Sequence, residues 1–336
     1  FFVVRFQKMA NLINTSHTGY VKDVQFNHDG QRLATCSADS RPRIEVYDKD
    51  NAGQWTIRHL PWSAHEQTIN KLCWAHPRFG QIIASCSDDT SVEIWEELDA
   101  ISGSQPKWHK RATLSDARKP IKDVAFCPSH LGLKLACACL DGRVLIYEAQ
   151  DIMNIGDWVL EEVFDAFEIA GSTARNAGVR CLSWNPSKFD PPMMVVGAEG
   201  NDDGSAMVRV WQLPEGGRKW TLVCDLDKHC RQDSGCQVND VAWAPNMGRS
   251  YHLIASGGQD HHQQLKIHRL LRTPEGVVSA GPAEVLSGDQ PQGIWRVEWN
   301  VTGTVLASSG EEGVVRLWKS TFRGDWKEIK TVATEN

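Results

Sequence analysis

Residues 74–95 read WAHPRFGQIIASCSDDTSVEIW and contain the central part of one unit of the pattern that decides the fold. An apolar run ends at an aromatic residue, Trp74, and a turn containing Pro and Gly follows. A run of small residues then leads to a turn that carries Asp89, and a second apolar run ends at Trp95. Short apolar runs bounded by turn residues are typical of β-strands, and helical periodicity is nearly absent from the chain.

The same unit occurs six times along the chain. The aromatic residues that end its first run are Phe26, Trp74, Phe126, Trp184, Trp243 and Trp299. A fourth strand follows in each unit, and Trp usually opens it, at Trp55, Trp108, Trp158, Trp220 and Trp326. Repeats of this kind are the sequence signature of a propeller, in which each unit is a four-stranded antiparallel blade. The sequence therefore predicts an all-β, six-bladed WD-repeat β-propeller.

The predicted domain organisation is simple. An N-terminal strand or leader at 1–16 precedes a single propeller domain at 17–336. The six blades are expected at about 17–60, 65–114, 118–164, 177–226, 237–286 and 292–332.

Composition narrows the classes of function. The 336 residues carry a net charge of −6 with no long basic run, whereas a nucleic-acid-binding protein usually has a basic stripe. No apolar run approaches the roughly 20 residues that span a bilayer. We therefore expect neither direct nucleic-acid binding nor membrane insertion. Most of the ten cysteines lie in apolar β-type runs, as small buried thiols of a reducing compartment do.

No residue pattern predicts catalysis, a metal or a cofactor. His17 and His65 occupy the position from which a WD-repeat histidine bonds the turn aspartate, so we expect structural pairs with Asp39 and Asp89. The group His229, Cys230 and Cys236 matches no common zinc-finger spacing. No nucleophile elbow or phosphate-binding loop occurs in a suitable context, so the chain is expected not to be an enzyme.

Counting strands leaves two ways to close the ring. The last blade already has its own outer strand at 326–332, so the N-terminal strand at 1–6 has no vacancy to fill there. The six blades either close by side-chain packing alone or leave the ring open. An open ring would expose apolar faces and strand edges that a partner could cover by adding strands.

Several segments resemble the SEH-type nucleoporins, which are relatives of the Sec-thirteen coat protein. These segments are 74–87, 126–136, 243–251 and, most distinctively, 295–310, and the resemblance runs from about His17 to Trp326. Glu96-Glu97 and the segment 151–158 favour the SEH side over a Sec-thirteen-type coat or pore propeller.

The resemblance implies an open propeller that a helical-solenoid nucleoporin completes by donating a β-blade in trans. The assembly would be the Y-complex of the nuclear pore, at the nuclear envelope with other Y-complex nucleoporins, in support of nucleocytoplasmic transport. The family also serves in a TOR-pathway regulatory complex at vacuolar or lysosomal membranes. A peptide-reading WD-repeat adaptor is the alternative, but the blades show no consistent ring of Arg or aromatic residues.

On this view the partner contacts lie on the first and last blades. The expected contacts in blade one are Val24, Phe26, Ile44 and Val46, and those in blade six are Val297, Trp299, Val315 and Leu317. Phe2, Val4 and Phe6 are expected to add an outer strand beside the inserted blade.

Overall fold

The computed structural model describes residues 13–98, 107–167, 177–200, 207–226, 237–259, 265–272, 278–286, 293–322 and 324–333. The chain forms two compact units, one spanning Asn11–Val163 and the other comprising Phe1–Ala10 with Phe164–Asn336. The predicted contacts Phe2, Val4 and Phe6, and the group His229, Cys230 and Cys236, lie outside the described residues.

The unit Asn11–Val163 contains blades one to three, apart from the last two residues of blade three. Blade one is β1 (Val21–Phe26), β2 (Arg32–Ser37), β3 (Arg43–Lys49) and an outer strand split into β4 (Trp55–Ile57) and β5 (Trp62–Ser63), both paired with β3. Blade two is β6 (Ile69–Trp74), β7 (Ile82–Ser87), β8 (Val92–Leu98) and β9 (Lys107–Leu114). Blade three is β10 (Ile121–Phe126), β11 (Lys134–Cys139), β12 (Arg143–Ala149) and β13 (Trp158–Asp165).

The other unit contains blades four to six. Blade four is β14 (Val179–Trp184), β15 (Met193–Ala198), β16 (Val208–Gln212) and β17 (Thr221–Asp225). Blade five is β18 (Gln237–Trp243), β19 (Tyr251–Gln259), β20 (Leu265–Arg272) and the short outer strands β21 (Val278–Ala280) and β22 (Glu284–Val285). Blade six is β23 (Ile294–Trp299), β24 (Val305–Gly310), β25 (Val314–Ser320) and β26 (Trp326–Ala333).

All six sheets are antiparallel with strands in chain order, which confirms the predicted all-β, six-bladed WD-propeller fold. The helical elements among the described residues are two single 3₁₀ turns, Pro77–Phe79 and Ser129–Leu131. A search of the described residues found no helix long and apolar enough to cross a membrane.

Neighbouring blades within a unit are joined by buried polar side chains as well as by apolar packing. Asp23 of blade one accepts a hydrogen bond from the Leu72 backbone N–H of blade two at 3.0 Å. Asp240 of blade five accepts one from the Val297 N–H of blade six at 2.9 Å. Each carboxylate sits at a bulge in the first strand of its blade, where the register shifts by one residue. These bonds fix the position of one blade on the next.

Candidate partner-binding faces on the end blades

The strand registers decide which side chains share a face of a blade, because directly paired residues of an antiparallel sheet point to the same side. In blade one, Val24 pairs with Thr35, which pairs with Glu45. Phe26 pairs with Leu33 and so belongs to the same face. This face is called the leading face below, since in a later blade it is turned toward the preceding blade.

The opposite side of blade one is its trailing face, which is turned toward blade two. It carries Ile44 and Val46, which pair with Cys36 and Ala34. Both side chains are fully buried in a core cluster that includes Leu72 of blade two. The trailing face of blade one is therefore covered by blade two.

The leading face of blade one is partly open. Val24 is 37% exposed and Phe26 is 57% exposed, although the Phe26 ring contacts Trp55 of its own blade at 5.7 Å between centroids. The equivalent of Val24 is buried in every other blade, at Leu72, Val124, Leu182, Val241 and Val297. Since the repeat keeps this position apolar, its exposure in blade one marks a face that the described residues leave partly uncovered.

Blade six shows the reverse arrangement. Its leading face carries Val297 and Trp299, which are buried with Leu265 and Ile267 of blade five. Its trailing face carries Val315 and Leu317, which pair with Ser309 and Ala307.

The trailing face of blade six is the partly exposed one. Val315 and Leu317 are half-buried. The equivalent pairs of the other blades are buried, namely Ile44 and Val46, Val92 and Ile94, Val144 and Ile146, Val208 and Val210, and Leu265 and Ile267. Among the described residues, blade six therefore leaves its trailing face partly uncovered, and blade one leaves its leading face partly uncovered.

The structure divides the predicted partner contacts between covered and partly uncovered faces. Ile44 and Val46 of blade one, and Val297 and Trp299 of blade six, do not lie on uncovered faces but on the faces buried against blades two and five. The physical reason is that each end blade has one neighbour within its unit, so one of its two apolar faces is always occupied. Val24, Phe26, Val315 and Leu317 lie on the uncovered faces and stay predictions as partner contacts.

Sequence reasoning also missed a buried polar cluster on the leading face of blade one. Glu45 is fully buried and accepts hydrogen bonds from the hydroxyls of Ser16 and Tyr47. Arg43 donates to the Ser16 carbonyl at 3.1 Å. These contacts hold residues 16–19 over the inner part of this face. The available signal was the single carboxylate in the apolar strand RIEVY, residues 43–47, which points to the same side as Val24.

The two predicted histidine–aspartate pairs differ in geometry. In blade two, His65 Nδ1 lies 2.9 Å from Asp89 Oδ2, and His65 Nε2 lies 2.8 Å from Ser85 Oγ. The Trp95 indole donates to the same Ser85 hydroxyl at 3.3 Å, so four side chains form one chain of hydrogen bonds.

In blade one, the histidine and the aspartate are further apart. His17 Nδ1 lies 3.7 Å from Asp39 Oδ2, while His17 Nε2 bonds Thr35 Oγ1 at 2.8 Å. Asp39 instead accepts from the backbone N–H groups of Thr18 and Gly19. Burial lowers the pKa of His17, and the nearby Glu45 and Asp39 carboxylates only partly oppose it. Both arrangements tie strands together and present no group to a substrate.

We expect the Asp89→Asn variant to have a flatter stability profile in acid than the unaltered chain. Burial alone would raise the pKa of Asp89, but hydrogen bonds from His65 and Ser91 outweigh it and hold this pKa well below its ordinary value. A carboxyl with a depressed pKa contributes stability above its unfolded pKa of about 4, and this contribution is lost as the pH falls further. At neutral pH the variant should lose about 1.5–3 kcal/mol, which is typical of a hydrogen bond to a charged group.

Urea unfolding at neutral pH and at a pH of about 3 measures this difference. The matched control is Asp151→Asn, which alters an exposed turn aspartate of the same unit. Equal acid sensitivity of Asp89→Asn and the unaltered chain would contradict the assignment.

The polar groups on the leading face of blade one are bonded within the chain, Glu45 to Ser16 and Tyr47, and His17 to Thr35. No cluster of three or more metal-ligating side chains occurs among the described residues. None of the eight described cysteines is in a disulfide. Burial raises the pKa of Cys73 to about 12 and that of Cys127 to about 11, so these thiols are poor nucleophiles at neutral pH. The partly exposed side chains of the two faces, Val24, Phe26, Val315 and Leu317, are apolar and suit binding to another protein.

Comparisons with known proteins show which family the repeats belong to. The model of the family "WD domain, G-beta repeat" matches residues 10–44, 56–96 and 282–319. The chain is 37% identical to Nucleoporin SEH1 of Homo sapiens over 338 residues, covering 95% of this chain and 87% of that protein. It is 37% identical to Nucleoporin SEH1 of Danio rerio, covering 95% and 86%.

A solved structure shares the fold. A chain of "Crystal Structure of Mitotic Checkpoint Complex" superposes with a TM-score of 0.62 at 17% identity, covering 91% of this chain and 76% of that chain. At this identity the likeness concerns the fold alone.

Proposed function

The chain belongs to the SEH1 nucleoporin family, and from that membership we propose that it is a scaffold subunit of the nuclear pore's Y-complex that holds a β-blade inserted by a partner. As a nucleoporin propeller it is a structural, non-enzymatic protein of the nuclear pore complex. The proposal concerns the partner and the way in which it is bound.

The observation that carries the proposal is the pattern of burial across the repeats. One apolar position of the first strand is buried in blades two to six and exposed in blade one, at Val24. The apolar pair of the third strand is buried in blades one to five and half-buried in blade six, at Val315 and Leu317. An inserted blade that packs on both surfaces would bury the side chains that the repeat otherwise keeps from water.

The partner is a helical-solenoid nucleoporin that donates strands, together with other nucleoporins of the Y-complex. Donated strands are favoured over a bound helix because the uncovered surfaces are the faces of sheets, and in this chain such faces pack against other sheets. A further role in a TOR-pathway regulatory complex at vacuolar or lysosomal membranes rests on the family resemblance and stays a prediction.

We expect the Phe26→Glu variant to lose the solenoid partner while the free chain stays folded. Phe26 is already half-exposed, so a carboxylate there is tolerated without the partner but would be buried unpaired beneath an inserted blade. The dissociation constant should rise about thirty-fold or more, as for loss of an interface hot spot worth about 2 kcal/mol. Co-expression with the solenoid nucleoporin, copurification and calorimetric titration measure the effect.

The matched control is Leu60→Glu, which places the same charge at a position that is 90% exposed, between β4 and β5. Equal loss of partner by the two variants, or undiminished binding by Phe26→Glu, would overturn the proposal.

A further inference from the structure

Neighbouring blades of one unit share a recurring hydrogen bond between their first strands. At each of the four junctions within the two units, a side chain on the first strand of the earlier blade accepts from a backbone N–H on the first strand of the later blade. The four bonds join Leu72 N–H to Asp23 at 3.0 Å, Phe126 N–H to Cys73 Sγ at 3.3 Å, Trp243 N–H to Ser183 Oγ at 3.0 Å, and Val297 N–H to Asp240 at 2.9 Å. This bond positions each later blade on the blade before it.

The Phe26 backbone N–H of blade one is a donor of the same kind. Asn27, the next residue, donates its N–H to the Arg32 carbonyl at the start of β2 at 3.0 Å. Since successive N–H groups of a strand point in opposite directions, the Phe26 N–H points away from β2. Phe126 and Trp243 occupy the same position in blades three and five, where their N–H groups bond the earlier blade. No acceptor among the described residues bonds the Phe26 N–H.

Two of the four junctions use a carboxylate as the acceptor, and there the later blade carries a basic residue beside the donor. Lys71 directly precedes the donor in blade two, and Arg296 directly precedes it in blade six. Since opposite charges attract, a basic residue at this position suits a carboxylate that enters from the earlier blade.

The other two junctions use a small thiol or hydroxyl side chain, and there the later blade has a carboxylate of its own. Asp123 of blade three accepts from the adjacent Val124 N–H at 2.8 Å, and Asp240 of blade five accepts from the adjacent Val241 N–H at 3.1 Å. A second carboxylate entering from the earlier blade would be repelled by this charge, whereas a neutral thiol or hydroxyl would not. The charge at this position of the later blade therefore matches the kind of acceptor that the earlier blade provides.

Blade one has the features of the second kind of junction. Asp23 follows the bulge of its first strand at the same register position as Asp123 and Asp240. We propose that the blade inserted beside blade one carries a serine, threonine or cysteine on the strand that corresponds to the first strand of the other blades, and that this side chain accepts a hydrogen bond from the Phe26 N–H. The inference rests on the proposed insertion of a partner blade and adds the chemistry that positions it.

The test combines substitution in the partner with hydrogen exchange in the full chain. In the complex of the chain with the solenoid nucleoporin, each serine, threonine and cysteine of the inserted blade is replaced by alanine in turn. One of these replacements should make the Phe26 amide exchange at least about tenfold faster and weaken the complex about tenfold, because a buried N–H loses its acceptor.

Two amides within the chain serve as references. Ser183→Ala should make the Trp243 amide exchange at least about tenfold faster, which calibrates the loss of such an acceptor. The Leu72 amide, which Asp23 bonds within the chain, should keep its exchange rate in every partner variant.

The proposal is overturned if no such replacement changes the exchange of the Phe26 amide, or if only replacement of an aspartate or glutamate of the inserted blade does so. A solenoid nucleoporin that failed to bind the unaltered chain would overturn the proposed function as well. Binding of the unaltered chain is measured separately by copurification, so the two failures are distinguishable.

Discussion

Replacing Trp299 with alanine is expected to lower the free energy of unfolding of the chain, without any partner, by about 3–5 kcal/mol. The indole is buried and packs edge-on against Trp326, with 5.3 Å between ring centroids. Its Nε1 donates to the Ala242 carbonyl of blade five at 3.0 Å. The substitution therefore leaves both a large cavity and an unsatisfied carbonyl between blades five and six.

The comparison variant for this prediction is Phe26→Ala, which changes the aromatic residue at the same repeat position in blade one. Since Phe26 is on an uncovered face, its loss should change the stability of the free chain by about 1 kcal/mol or less. Urea unfolding followed by tryptophan fluorescence and by circular dichroism measures both. If the two variants were equally destabilised, the assignment of buried and uncovered faces would be wrong.

Asp240→Ala is expected to destabilise the chain by about 3 kcal/mol, because two buried N–H groups lose their acceptor. Asp240 is buried and accepts from the Val241 N–H at 3.1 Å as well as from the Val297 N–H at 2.9 Å. Water cannot replace the carboxylate at a packed junction where a Cβ on Gly257 would lie 2.5 Å from Ile294 Cγ2. The loss of stability should be concentrated at the junction between blades five and six.

Hydrogen exchange of the Val297 amide identifies that junction directly. The Asp240→Ala variant should exchange this amide faster than the unaltered chain, whereas Asp240→Asn keeps an acceptor oxygen and should have a smaller effect. Asp325→Ala, at an exposed turn of blade six, serves as the neutral control. Global destabilisation without faster exchange at Val297 would show that the carboxylate acts elsewhere.

The fold could be predicted from the sequence because each repeat carries its own strand and turn signals. Trp74 ends β6, Trp95 lies within β8, and Asp89 marks the turn between β7 and β8. These signals are local, so they survive differences in loop length from one blade to the next. The family resemblance pointed to the same fold and is confirmed by the relatives.

The faces of the blades could not be assigned by reading alternation within single strands. Alternation places Val24 with Phe26 on one face of β1, and Ile44 with Val46 on one face of β3. It does not say whether these two groups lie on the same face of the blade. That choice is fixed by register, and the bulge between Val21 and Asp23 shifts the register within the first strand. Aligning blade one with blade six shows that Phe26 and Trp299 are equivalent positions. They therefore lie on the leading faces of their blades, and only one of them can be on an end face of the ring.

The contacts of residues 16–19 could likewise not be predicted from the sequence. Glu45 and Ser16 are 29 positions apart and belong to no shared motif. A buried carboxylate in a strand signals that a donor must exist, but several nearby hydroxyls could have served.

The carboxylates of Asp23 and Asp240 also set a lower limit on the size of a stable fragment. A piece of the chain that ended after blade five would keep Asp240 but discard the backbone donor of Val297. A piece reduced to blade one would in the same way separate Asp23 from Leu72. At these two junctions a truncation that separates the two sheets would remove the backbone donor from a buried carboxylate, so truncations for biochemical work should keep both sheets together.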